Sequence, residues 1–416
     1  MTARPTTELP AGHPSLGPAR LSSGPSVFAV ECTTAQLCWQ SLGEAGRTQP
    51  RAGADARTPV TATDAATGRV VGTGSTDGGP GTIELQGLVP GAPQAVRLDV
   101  AGRPAGGVTL TTMEPLGREL SRFATLSDIH LGLDVFGFRG TMVEAVTPEW
   151  RRERETTRVD LPISVRAARG AIDELTGWGA QHLFIKGDLV DRSTPATWAM
   201  AGRLLARTRL PTTVMTGNHE HNRCGIVPPH EGAAAVGIDA VRGVRRVDLP
   251  GLSVLCIDTI RPGAHGGTVR AEVTEAALAA LEGVANPVVV LTHHPIERFN
   301  QAWSHPPGIP HREGRDLVAT LSRHCELLLV SSGHTHAHRR RTVAGVTTTE
   351  VGSPKDFPGV WGGYVVYEQG VCQVVRRVTS PQVRDWLSFT RRAAGGVWGR
   401  WSPGRLGNRS LQVRRG

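Results

Sequence analysis

Apolar and polar positions follow two different rhythms along this chain. Between residues 25 and 115 the apolar residues come in short runs, SVFAVEC, AQLCWQSL, GRVVGTG, TIELQGL, QAVRLDVAG and GVTLTTM, broken by Gly, Pro and Asp. Short runs at close spacing, with no helical period, predict an all-β sandwich. From residue 120 to 378 the pattern changes. The runs FATL (123–126), HLFI (182–185), TTVM (212–215), LSVLCI (252–257), VVVL (288–291) and LLLV (327–330) predict buried strands. Segments 162–178, 196–207, 274–284 and 314–324 between them read as helices. In the first, Val165, Ala168, Ile172 and Leu175 recur at helical spacing behind Pro162. Such alternation predicts an α/β architecture with helices covering buried sheet.

Length and charge refine this division. A chain of 416 residues exceeds one small core, so two domains plus tails are expected. The expected units are a disordered leader (1–24), a β-sandwich (25–115), an α/β domain (118–378) and an Arg-rich C-terminal tail (379–416). The leader is rich in Pro, Gly and Ser and lacks the apolar centre of a signal peptide. No run of 18 uncharged apolar residues occurs, so no membrane span is expected. The six cysteines form no CxxC pair, which points to reduced thiols and a cytoplasmic setting. The net charge of +9 is accounted for by residues 376–416, which hold ten Arg and a single Asp. Arg is this chain's default cation, Lys186 and Lys355 being its two lysines, so the excess does not by itself name nucleic acid as a partner.

Chemistry collects where the apolar runs end. FATL is followed by Ser127-Asp128-Ile129-His130, and HLFI by Lys186-Gly187-Asp188-Leu189-Val190-Asp191. TTVM leads to Thr216-Gly217-Asn218-His219-Glu220, VVVL to Thr292-His293-His294-Pro295, and LLLV to Ser331-Ser332-Gly333-His334-Thr335-His336. Open α/β sheets bind ligands beyond the carboxyl ends of their strands, so these groups can converge. If the segments stay extended, Asp128 shares a face with His130, and His334 with His336, while His294 faces away from His293. Imidazole and carboxylate together suit first-row divalent ions such as Mn, Fe, Co, Ni or Zn. One shared carboxylate can hold two ions about 3.5–4 Å apart, a spacing suited to clamping phosphoryl oxygens. A polar loop that happens to be rich in His is the alternative for any single block.

Taken in order, Asp-x-His, Gly-Asp, Gly-Asn-His-Glu, a later His and Gly-His-x-His resemble the calcineurin-like metallophosphoesterases over roughly residues 120–378. The resemblance implies a double β-sandwich flanked by helices and two divalent metal ions. One ion would be held by Asp128, His130 and His336, with Asp188 bridging; the second would take Asp188, Asn218, His293 and His334. His219 would contact substrate phosphate and protonate the leaving group. Asp191 and Glu220 would orient ligands, and His338 would lie at the surface beyond the motif. A hydroxide shared by both ions would attack phosphorus in line, the substrate being a small phosphoester. The fifth position of Gly-Asp-Leu-Val-Asp is Asp191, where purple acid phosphatases carry Tyr, so no purple iron site is implied. The His-His-Pro and Gly-His-Thr-His blocks look more like bacterial phosphodiesterases for cyclic nucleotides or glycerophosphodiesters.

The region around Trp39, together with IELQGLVPGAPQAVRLDV, resembles a fibronectin type III domain. Gln94 stands near the place of that family's buried Tyr. Such a domain implies a spacer or a docking surface for a protein partner. Alternatives to a diesterase are a phosphomonoesterase or protein phosphatase of the same family, or a metal-binding adaptor acting through the β-domain. The segment RRERETTR (151–158) could fold over the site.

Overall fold

Six of the seven N-terminal strands among the described residues coincide with the short apolar runs. They are β1 (Ser26–Val30), β2 (Ala35–Trp39), β3 (Thr58–Asp64), β4 (Val70–Thr76), β5 (Gly81–Leu85), β6 (Pro93–Val100) and β7 (Arg103–Thr111). Only β3, TPVTATD, escaped the pattern, because Thr fills the positions where aliphatic residues would mark a strand. A three-stranded sheet, β1-β2-β5, faces a four-stranded sheet, β4-β3-β6-β7. Leu37, Trp39, Ile83, Val60, Val96 and Leu98 fill the space between them. Gln94 pins the turn before β6, accepting from the Val89 amide and donating to its carbonyl. The computed structural model describes residues 24–42, 57–133, 136, 161–222, 227–301 and 305–416. The expected leader (apart from Gly24), Cys224 and segment 151–158 lie outside the described residues.

From residue 119 onward the chain builds two stacked six-stranded sheets with helices on both outer faces. The first has the order β10-β9-β8-β17-β18-β19, from β8 (Glu119–Leu126), β9 (His182–Lys186), β10 (Thr212–Met215), β17 (Val360–Tyr367), β18 (Gly370–Arg377) and β19 (Ser410–Arg414). The second has the order β11-β12-β13-β14-β16-β15, from β11 (Val244–Leu249), β12 (Leu252–Ile257), β13 (Val288–Thr292), β14 (Leu327–Ser332), β15 (Arg339–Val343) and β16 (Val346–Glu350). Both faces of the inner strands are buried, which is why these runs are apolar throughout. Phe123, Phe184, Val254, Cys256, Val289 and Leu291 point between the sheets. Their neighbours Ala124, Leu183 and Ile185 meet helices α1 (Ile163–Gly177) and α2 (Pro195–Leu205). Leu255, Ile257, Val288 and Val290 on the other sheet lie under α5 (Ala271–Ala280) and α6 (His311–His324). Two short helices, α3 (Asn218–Asn222) and α4 (Pro229–Ala234), follow β10.

The C-terminal segment is folded, where an Arg-rich tail was expected. It forms α7 (Pro381–Arg391), α8 (Val397–Trp401) and α9 (Leu406–Arg409), then β19, which pairs antiparallel with β18. Val383, Leu387 and Trp398 bury against the same core as α1. Arg409 is almost fully buried and gives its N–H groups to the carbonyls of Phe28, Pro403 and Gly404. Long Arg stems can line apolar surface in this way, so the charge count hid a packed segment. His338, expected at the surface, is covered by it: its amide donates to Ser402 and its carbonyl accepts from Asn408.

The N-terminal sandwich also sits on the first large sheet. Phe28, Ala29 and Cys38 bury against Val360, Val374 and Val375. Arg376 forms ion pairs with Glu31 and Glu84 across the junction. No helix among the described residues is long and apolar enough to cross a membrane.

Candidate metal centre

Strands β8, β9 and β10 run parallel, as do β12, β13, β14 and β16. Their carboxyl ends therefore open on one edge of the double sheet, which is what brings distant blocks together. The extended-segment reading fails locally. Asp128, His130, Asp188, His334 and His336 have positive φ, between 51° and 71°, and make up five of the eight non-Gly residues with positive φ among those described. The chain turns through left-handed conformations as each strand stops, so strand alternation no longer sets side-chain direction. Asp188 and Asn218 flank tight approaches. A Cβ on Gly217 would fall 2.2 Å from the Asp188 Oδ1, and one on Gly187 would fall 2.5 Å from the His293 Nδ1. Only glycine leaves room there.

The Asp188 carboxylate is the middle of the cluster. Its Oδ1 accepts the His219 backbone N–H at 2.9 Å. Its Oδ2 faces three imidazole Nε2 atoms, His293 at 3.4 Å and His130 and His219 at 3.9 Å each. On one side, His130 and His336 turn their Nε2 atoms toward each other at 3.1 Å, and Asp128 Oδ1 lies 3.5 Å from His336. On the other, His293 Nε2 is 3.1 Å from the Asn218 Oδ1. Donor atoms of His293, His294 and His334 lie within 4.8 Å of one another, as do those of Asp128, His130 and His336. All seven residues that the motifs single out as metal ligands thus converge.

Hydrogen bonds behind the ring nitrogens fix which lone pairs face inward. His336 Nδ1 donates to Asp356 Oδ2 at 2.7 Å, and His293 Nδ1 donates to the Lys186 carbonyl at 2.8 Å. Each leaves its Nε2 facing the carboxylates, where a proton or a metal ion can bind it. His334 is held the other way, its Nε2 donating to the Pro307 carbonyl at 3.1 Å. Asp128 Oδ2 is taken by the Ser127 hydroxyl and the His334 amide, while its Oδ1 has no hydrogen-bond donor among the described residues. A buried carboxylate oxygen without a donor is costly. A divalent cation fits that oxygen and the facing lone pairs.

Protonation follows the same logic. Burial alone would lower His293 and His336, yet the Asp188 carboxylate lifts His293 to about 9, and Asp128 and Asp356 lift His336 to about 10. Burial holds His334 down at about 3, helped by the positive charge on His293. The carboxylates draw protons onto these two rings, and a bound dication would take the place of those protons.

The accessory residues take specific positions. His219 Nδ1 donates to Asp191 Oδ1 at 2.9 Å, leaving its Nε2 facing the cluster. Glu220 does not point inward; it accepts the Val190 and Gly217 amides and so braces the Asp188 turn. Its burial, with the nearby Asp188 charge, pushes its carboxyl up to about 8. His294 departs from the expected outward orientation. The strand stops at Thr292, and the His294 ring centroid lies 4.6 Å from that of His334, with Nδ1 on the Thr259 hydroxyl. Lys186 is buried and ties the two sheets together through Ser331 and the Ser332 carbonyl, and burial lowers it to about 7.

Three contributors carried no sequence signal. Asp356 and Lys355 sit in the turn SPKD after β16, and His265 reaches within 3.5 Å of the Asn218 amide. They follow no apolar run of the kind that marked the other blocks.

Residues 121–338 match the family model described as calcineurin-like phosphoesterase. No curated protein shows a match to the chain. Among solved structures, the chain is similar to a purple acid phosphatase from yellow lupin (Lupinus luteus) seeds, at 14% identity over 87% of this chain and 73% of that one, with a TM-score of 0.44. It is also similar to a phosphopantetheinyl hydrolase from Mycobacterium tuberculosis, at 14% identity over 57% of this chain and 91% of that one, with a TM-score of 0.33. The matched family span covers more than half of the sequence, and the chain belongs to the calcineurin-like phosphoesterases, a family of metal-dependent phosphoester hydrolases.

Proposed function

We propose that the chain is a dinuclear metal-dependent phosphodiesterase acting on a small diester, a cyclic nucleotide among the candidates. Asp128, His130, Asp188 and His336 would hold one divalent ion, and Asp188, Asn218, His293 and His334 the other. The observation that carries this reading is the Asp188 carboxylate, with imidazole lone pairs from both groups turned toward it. Such ions, when bound, lower the pKa of water and neutralise phosphoryl oxygens.

The chain's own residues do the rest. Asp356 and the Lys186 carbonyl hold the ligand rings in register. His219 presents its Nε2 to the leaving oxygen, and Asp191 keeps the proton on Nδ1 so that a second proton on Nε2 can be delivered. Preference for a diester rests on charge. A monoester dianion is best clamped by added cations. Lys186 is tied up between the sheets, and the largely exposed Arg192 approaches Asp191 only at 3.9 Å. A diester monoanion needs less neutralisation. Comparing kcat/KM for bis-nitrophenyl phosphate and nitrophenyl phosphate on one metal-loaded preparation tests this; a monoester advantage with every metal would overturn it.

For organisation, we take residues 25–115 as a fibronectin type III-like unit offering a surface to a protein partner. The catalytic unit begins near residue 118, and we extend it through 379–416. A cytoplasmic setting is the placement we favour, on the cysteine pattern.

A further inference from the structure

A second polar site lies between the N-terminal sandwich and the C-terminal segment. Ser75, Thr76 and Thr82 on one side, with Arg377, Thr379, Ser380 and Arg384 on the other, enclose a cavity of about 180 Å³ that Arg57 also lines. No Asp or Glu is among the described residues that line it. The carboxylates nearby are already engaged: Asp77 by Arg384, Glu174 by the amide and hydroxyl of Thr379, and Glu31 and Glu84 by Arg376.

Arg377 is the unusual group. It is 6% exposed, and its guanidinium lies 5.8 Å from the Phe28 ring and 5.3 Å from the Phe357 ring. Its Nε donates to the Pro358 carbonyl, but neither Nη has an acceptor among the described residues. Arg409, over the same Phe28 ring at 4.4 Å, is instead saturated by carbonyls. Neither Nη is among the buried donors that lack a partner, so both reach the solvent of the cavity and can meet an anion there. Stacking on the Phe rings holds the guanidinium in place and leaves those N–H groups available to a ligand.

We propose that this cavity is an oxyanion site, separate from the metal centre, that takes a tetrahedral dianion such as inorganic phosphate. Size argues for a small ligand: the volume is below the about 300–1,000 Å³ typical of drug-sized pockets. Charge argues for a dianion, since Arg384 is neutralised by Asp77 while Arg57 and Arg377 have no ion-pair partner among the described residues. Guanidinium forks and flanking hydroxyls suit phosphoryl oxygens. The anion would join the two parts of the chain that line it.

The test is calorimetric titration of inorganic phosphate into the full chain after metal removal by chelation. The expected result is saturable binding of one phosphate per chain, weakened about tenfold or more by Arg57→Ala and by Arg377→Gln, and unchanged in Asp188→Ala. Absence of saturable binding, or binding indifferent to Arg57→Ala, overturns the proposal. Loss of binding in Asp188→Ala would move the phosphate to the catalytic centre and overturn it equally. Should Arg377→Gln fail to fold, Arg57→Ala decides, because that side chain is exposed.

Discussion

Replacing Asp356 by Asn removes a negative charge from behind His336 while keeping the shape of the side chain. Asp356 is buried, its Oδ2 accepting from His336 Nδ1 at 2.7 Å and its Oδ1 lying 3.6 Å from Lys355 Nζ. The Asn carbonyl can still accept from Nδ1–H, so the ring stays in place but its Nε2 becomes a poorer donor. Partners of this kind change metal affinity or activity by about 10–100-fold, or about 1.4–2.8 kcal/mol. The variant also removes the carboxylate beside a lysine that is 0% exposed, and breaking a buried ion pair costs about 3–5 kcal/mol of stability. The two effects separate in the double variant Lys355→Met/Asp356→Asn, which should recover most of the stability and none of the metal affinity. Metal affinity is measured by chelator competition, stability by urea unfolding, and turnover on bis-nitrophenyl phosphate. Wild-type metal affinity and kcat in Asp356→Asn would refute the argument that Asp356 tunes His336.

Other substitutions probe different links. His219→Ala should keep its metal content and lose about 10²–10⁴ in kcat on poor leaving groups, with a smaller loss for nitrophenolate; equal losses would remove the proton-donor role. Arg376→Ala removes the cation shared by Glu31 and Glu84 and should cost about 1–3 kcal/mol in urea unfolding, because Trp178 still donates to Glu31 and Glu84 is part-exposed; a change under about 0.5 kcal/mol would mark the pairs as solvated. Deleting residues 1–115 should leave metal binding intact, since every proposed ligand follows Ser127, yet lower Tm because Val360, Val374 and Val375 lose Phe28 and Ala29. An unchanged Tm would show the sandwich to be a passive attachment.

The parts of the site that were legible in the sequence share one cause. A strand buried on both faces must be apolar along its length, so Phe123–Leu126 or Val288–Leu291 stands out, and the polar residues that follow stand out with it. That contrast delivered Asp128, Asp188, Asn218, His293 and His334. Direction was not legible. Positive φ at Asp128, His130 and His336 is a property of how each strand stops, and no residue pattern announced it. Asp356 was invisible because a turn residue twenty positions after His336 becomes its neighbour only once β15 and β16 have formed. The folded C-terminal segment was not legible for a different reason: its many Arg residues mask the buried spacing of Val383, Leu387 and Thr390 on α7.

The proposed chemistry turns on two ions sharing Asp188. Anomalous diffraction at the manganese edge, on crystals of the full chain reconstituted with Mn(II), tests it most directly. Two peaks are expected about 3.5–4 Å apart, one beside Asp128, His130 and His336 and the other beside Asn218, His293 and His334, with the Asp188 carboxylate touching both. A single peak, or two peaks of which one lies away from Asp188, would contradict it.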